Sequence, residues 1–235
     1  MRKIILSAVI ALSSALIVLS YGCSATKPTA KNVSQIRYDV FYAKDERFEI
    51  SVFAEKRENP FKADGNPAPL SPFVSVKVTP KTDENIENAE MIAKIETKEK
   101  TCAATFDFKP VATARECGLY PETPLGGEFV LTLIVNSEKF VYKPKSLKNK
   151  AIIPYAAAIF DVKNYAKGGI DRYFNEDYGE IRVKLIENEG VNYWLVEFID
   201  ENSARAFLVD ASDGETVNEI ANQNNKNYTN GTDLG

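Results

Sequence analysis

Histidine is absent from this chain of 235 residues. That absence removes the usual Ser-His-Asp and Cys-His nucleophile systems, together with histidine-ligated zinc. Tryptophan occurs once, at Trp194, so a substrate cleft built on aromatic platforms has little to draw on. Glycine-rich phosphate loops of the Walker or dinucleotide type are missing too. The one Ser-x-x-Lys match, Ser24 to Lys27, lies in a polar stretch where no packed pocket could activate the serine. A carboxylate pair could perform glycoside hydrolysis without histidine. Acidic residues are plentiful, however, and the sequence nominates no pair. No catalytic residue, cofactor or metal site is assigned, and the expectation is a protein that is not an enzyme.

What is present begins with an address. Arg2 and Lys3 precede an apolar run from Ile4 to Leu19 that ends in small residues. Residues 1–22 therefore read as a secretory signal peptide, slightly short of the ~18 apolar residues that suit a membrane-spanning helix. The following Ser20-Tyr21-Gly22-Cys23 resembles the lipobox of bacterial lipoproteins. That resemblance implies cleavage before Cys23, a lipid on its thiol and an extracytoplasmic, membrane-anchored protein. Cleavage near Ala25 is the alternative, and it would release a soluble secreted chain. Residues 23–37 are small, polar and without apolar periodicity, and read as a tether.

About 200 residues remain, enough for one large domain or two small ones. Charge differs between the parts. Residues 38–150 carry 17 Lys and Arg against 18 Asp and Glu, whereas residues 154–220 carry 6 against 14. The acidic last third argues against nucleic-acid binding, which needs cationic neutralisation of phosphates. A solvated acidic face kept for solubility explains it equally well.

From 38 to 150 the dominant period is two. Arg47–Phe53, Phe73–Val78 and Met91–Glu96 alternate apolar and polar positions, and 128–144 places two apolar runs around Asn136-Ser137-Glu138 as a hairpin requires. The expected fold here is an all-β antiparallel sandwich, with an immunoglobulin-like arrangement as the architectural guess. Cys102 and Cys117 survive in the mature part, in a compartment where disulfides persist. A hairpin turning near Lys109 and Pro110 would set them nearly opposite, and a Cys102–Cys117 bridge would contribute ~3 kcal/mol. Reduced thiols or a metal pair are the competing readings, the latter short of ligands without histidine.

The pattern changes near Pro154. Tyr155, Ile159, Val162 and Ala166 recur at helical spacing, Gly168 and Gly169 interrupt, and Ile170, Tyr173 and Phe174 suggest a short continuation. Three strands follow at 181–187, 192–199 and 204–210, with a possible fourth at 215–220. Alternation assigns Ile181, Val183, Leu185, Trp194, Val196, Phe198, Phe207 and Val209 to the face the helix covers. Arg182, Lys184 and Glu197 then point outward, where cross-strand charge pairs are of modest value. Residues 151–220 are thus expected to form an α+β domain, a helix packed on an antiparallel meander. Residues 221–235, Asn-rich and aperiodic, are expected to be disordered.

Helix then meander, with Tyr193–Phe198 followed by Phe207–Val217, resembles the PepSY domain over residues 154–220. Members occur in propeptides of secreted metalloproteases and in envelope proteins, so the resemblance implies protein binding or control of a peptidase rather than catalysis. The partner implied is an envelope or secreted protein. Asp210, Asp213 and Glu215 offer three oxygen donors within six residues and could surround calcium. The order lacks the EF-hand pattern, and an Asp-Gly hairpin turn with solvated acids is the favoured reading. A structural, surface-assembly role and a small-ligand or glycan binder are the alternatives to protein regulation.

Overall fold

Alternating apolar residues need a partner surface, and in this chain two sheets and a helix supply it. The computed structural model describes residues 31–60, 68–81, 86, 89–97, 101–109, 114–149, 151–175, 178–201 and 203–224. The signal peptide, Cys23, Ala25, Ser24 and Lys27, residues 61–67 of the Pro-rich stretch at 59–72, Pro110 and residues 225–235 lie outside the described residues.

In the first part of the chain the strands are β1 (Val33–Lys44), β2 (Phe48–Glu58), β3 (Leu70–Pro80), β4 (Met91–Glu96), β5 (Thr101–Thr105), β6 (Asp107–Lys109), β7 (Ala114–Leu119), β8 (Val130–Val135), β9 (Glu138–Tyr142) and β10 (Lys145–Ser146). Helices α1 (Tyr155–Tyr165) and α2 (Arg172–Asn175) follow, then β11 (Glu180–Asn188), β12 (Val191–Ile199), β13 (Ser203–Asp210) and β14 (Thr216–Asn224). A large mixed sheet runs β14-β13-β12-β11-β1-β2-β3-β7-β6, with β10 also paired to β1, and a separate antiparallel sheet runs β5-β4-β8-β9.

Period-two burial explains how the sheets meet. Phe48, Ile50, Val52 and Ala54 of β2 and Val74, Val76 and Val78 of β3 pack in one cluster with Met91, Ala93, Ile95, Leu131, Leu133 and Val135 of the small sheet. A second cluster joins Ala158, Ile159 and Val162 of α1 to all eight residues that alternation assigned to the helix-covered face. Each such fully buried aliphatic or aromatic side chain contributes ~1.5–3 kcal/mol. Tyr38 packs against both clusters. Helix α1 begins just after Pro154 and ends at Tyr165, and the short continuation is α2.

Three expectations need correction. Residues 33–37, read as the end of the tether, open β1, because Val33 and Ile36 are buried in the second cluster. Residues 221–224, read as tail, continue β14, since an edge strand needs only backbone hydrogen bonds from β13, here at Ala206↔Ala221 and Arg205↔Asn222. The sheet of the first part is not purely antiparallel. β1 pairs in parallel with β11 through Val33↔Ile181, Ile36↔Val183 and Arg37↔Lys184, so one sheet bridges the boundary expected near residue 150.

Candidate functional site

Most residues singled out by the sequence have structural duties. Cys102 and Cys117 are not joined in a disulfide, which overturns the expected bridge. The hairpin is present, with Asp107↔Glu116 and Lys109↔Ala114 in register. The chain leaves that pairing at Phe106, and β5 belongs to the other sheet, where Cys102 opposes Ile95. Cys102 is half-buried, and burial pushes its thiol pKa up. Trp194 is core: it is buried and its Nε1 donates to Ile153 O at 3.0 Å.

The acids at 210–215 face their own turn. Asp210 Oδ1 accepts from Ser212 N at 2.8 Å and Ser212 Oγ at 2.6 Å, and Asp213 Oδ1 accepts from Glu215 N at 2.9 Å. The Ser212 hydrogen bonds hold the Asp210 carboxyl below its ordinary pKa. Among the described residues, no group of three or more Cys, Asp or Glu side chains is placed to hold a metal ion.

Arg182, Lys184 and Glu197 lie on the face that alternation assigns away from α1, yet they are buried rather than solvated. Buried charge demands a partner. Arg182 pairs with Glu180 at 3.1 Å, and Lys184 Nζ stands 3.2 Å from Glu197 Oε2. On the same sheet Arg37 Nε donates to Glu55 Oε1 at 2.7 Å, while Gln35 Nε2 donates to Glu55 Oε2 at 2.8 Å. These pairs mark where strands of the two parts of the chain meet.

Among the described residues, a cleft of about 910 Å³ between the two stacked sheets has the form of a binding site. Four separate segments line it. Asp39 and Phe41 come from β1, just past the point where its pairing with β2 shifts between Arg37 and Asp39. Glu96 and Thr97 come from the end of β4, and Gly127 to Val130 from the approach to β8. Lys143 to Ser146 lead into β10, which is held on β1 by Phe41↔Ser146 and Tyr42↔Lys145.

The floor is apolar. Phe41 and Phe129 meet edge to face with centroids 5.0 Å apart. Tyr38 Oη donates to Leu125 O at 2.9 Å and so ties the loop carrying Phe129 to β1. Burial pushes the Tyr38 hydroxyl up to about 12, so it remains a donor at neutral pH. Above the floor, Ser146 Oγ donates to Asp39 Oδ1 at 2.6 Å and accepts from Lys148 N at 3.1 Å. Burial raises the Asp39 pKa above its ordinary 3.8, against the opposing pull of the Ser146 and Val40 hydrogen bonds and of Lys148.

Four exposed charged residues belong to its lining, Lys143 and Lys145 from the β10 side and Glu96 and Glu128 from the small sheet. Register sets Lys145 on the face of Tyr42 and Glu96 on that of Val130, opposite to the faces of Phe41 and Leu131. None of these was nominated from the sequence, because the cleft draws single residues from stretches up to about a hundred positions apart. The signals that could have marked it were the doubled glycine at 126–127 and the Lys143-Pro144-Lys145 run that interrupts a strand pattern. Among the described residues no helix is long and apolar enough to cross a membrane. Comparison with protein-family models, with curated proteins and with solved structures finds no match.

Proposed function

We propose that this chain is an extracytoplasmic lipoprotein, anchored through lipid on Cys23, that binds an envelope or secreted protein and performs no catalysis. The observation that carries the reading is the inter-sheet cleft, whose lining joins Phe41 and Phe129 to charged residues of both signs. Such a surface suits recognition: a few placed polar groups over apolar contacts are the usual composition of a binding pocket. The chain's lack of histidine leaves the cleft's hydroxyl, Ser146, without the common base, and its proton is directed at Asp39. The resemblance of residues 154–220 to PepSY domains adds control of a peptidase as the form this binding takes.

The test is affinity capture from cell-envelope and secreted fractions, with residues 24–235 as bait beside a Lys143→Glu/Lys145→Glu variant. A single stoichiometric protein retained by the natural chain and lost by the variant is expected. Equal retention by both, or none by either, refutes the cleft as the working site.

A surface-assembly role is the second reading, and one observation favours it. β14 is the last strand of the large sheet and exposes Val217 at 55 % and Ile220 at 49 %. An edge strand with exposed apolar residues is a template for pairing with another chain. Sedimentation of residues 24–235 separates the two: concentration-dependent association favours assembly, a strict monomer opposes it.

A further inference from the structure

We infer that residues 24–30, the segment between Cys23 and Lys31, fold back as a strap across the outer face of β11, β12 and β13 instead of forming a free leash. This strap is separate from the cleft and needs no ligand.

The large sheet has a covered side and an outer side. Ile36 opposes Lys56, two positions from Ala54, so the core beneath α1 and the core beneath the small sheet lie on the same side. On the other side Lys184 stands opposite Leu195, Arg182 opposite Glu197 and Ile199 opposite Ala204. Among the described residues, both helices and all four strands of the small sheet pack on the covered side. Nevertheless Lys184 is only 9 % exposed, Leu195 6 % and Ile199 3 %. Farther along the same outer side, over β2 and β3, Phe53, Ser75 and Lys77 are merely half-buried. A lysine on a bare sheet keeps its ammonium in water, so a lysine, a leucine and an isoleucine at this depth lie beneath a cover.

The path of the chain assigns that cover to its own N-terminal segment. Asn32 is pinned, its carbonyl accepting from Ile181 N at 2.7 Å and its Nδ2 donating to Tyr178 O at 2.9 Å. Lys31 and Asn32 form a turn, so the chain changes direction just before β1 instead of entering in line with it. The seven residues Ser24 to Ala30 reach ~23 Å when extended, against ~14 Å for the three strand spacings from β1 to β13.

Their chemistry fits this face. Ser-Ala-Thr-Lys-Pro-Thr-Ala has small side chains on either side of Lys27 and Pro28, and Pro28 favours an extended backbone, so the segment can lie flat over Leu195 and Ile199. It contains no acid to oppose Glu180 and Glu197. Glu197 supplies a second, independent mark. Its buried Oε2 has no hydrogen-bond donor among the described residues, although Lys184 Nζ stands 3.2 Å away. A backbone N–H or threonine hydroxyl of the strap is the donor that such an oxygen requires. With lipid on Cys23, the strap brings the anchor out beside the sheet and turns the outer face toward the bilayer.

Lysine footprinting of residues 24–235 tests the strap. Pulses of sulfosuccinimidyl acetate label the amines, and mass spectrometry reads Lys184 against the exposed Lys139. Replacing residues 24–30 by a Gly/Ser stretch of equal length is expected to speed Lys184 labelling about tenfold, since labelling follows the population of the uncovered state. Circular dichroism checks that the replaced chain is folded. Thr26→Asp/Ala30→Asp, which sets acids beside Glu197, is the milder second variant and should shift the rate in the same direction. Equal Lys184 rates in the natural, replaced and doubly substituted chains overturn the inference. So does deprotection that follows removal of residues 225–235 and not replacement of 24–30, which would make the C-terminal segment the cover.

Discussion

Glu55 shows what a single residue can cost when its surroundings are dry. Its side chain is 2 % exposed and that of Arg37 7 %, and both carboxylate oxygens are used, one by Arg37 and one by Gln35. A buried ion pair adds little net stability, since desolvation consumes most of the attraction, but removing one member strands the other. Glu55→Ala is therefore expected to lower the unfolding free energy by about 3–5 kcal/mol in urea titration. A joint Arg37→Met/Glu55→Leu replacement should recover most of that loss. If the single change costs no more than a surface substitution, the pair is not desolvated as described. Arg37 was invisible to sequence reasoning because its neighbours Ser34 and Gln35 break the alternation that announces a strand, and polar residues read as tether.

At the scale of elements, the entry to β11 depends on one turn. Gly179 has φ +65°, and a Cβ there would lie 2.6 Å from Ile199 O as well as against the Tyr173 ring. Close by, Asp200 accepts from Arg172 Nη2 at 2.8 Å, Tyr173 Oη at 2.9 Å and Ser203 N at 2.8 Å, latching α2 to the β12–β13 turn. The Gly179→Ala variant meets both the left-handed backbone penalty and a backbone clash, so a loss of ~2 kcal/mol or more is expected. Urea unfolding measures it. A loss below about 0.5 kcal/mol, the range of ordinary surface changes, contradicts the close approach. The glycine pair at 168–169 was read correctly as the end of a helix, since helix propensity is local. Nothing local told that Gly179 touches the far end of β12.

For the molecule as a whole, β1 is the seam. Its first half pairs with β11, its second half with β10, and its other edge with β2 over nearly its full length. Val33 and Ile36 complete the core under α1, and Tyr38 reaches both cores. A chain beginning at residue 38 loses the parallel pairing and two buried side chains, worth together more than about 3 kcal/mol in apolar burial. Residues 31–224 are thus expected to unfold in one cooperative urea transition, and residues 38–224 to show a separate, earlier loss of the β11–β14 part. Superimposable transitions for the two chains would show that the first turns of β1 hold nothing together.

The sequence by itself determined what depends on near neighbours. Strand faces followed from alternation, which is why every residue assigned beneath α1 from Ile181 to Val209 is there. Helix limits followed from Pro154 and the glycine pair, and the exclusion of histidine chemistry followed from composition. Tertiary structure alone decided what depends on which strands meet. The parallel β1–β11 pairing links residues about 147 positions apart, and no periodicity encodes a partner at that distance. The crossing from one sheet to the other at Phe106 separated two cysteines that spacing had placed opposite each other. The cleft is likewise a product of four separate segments brought together, because its lining residues come from stretches that share no local pattern.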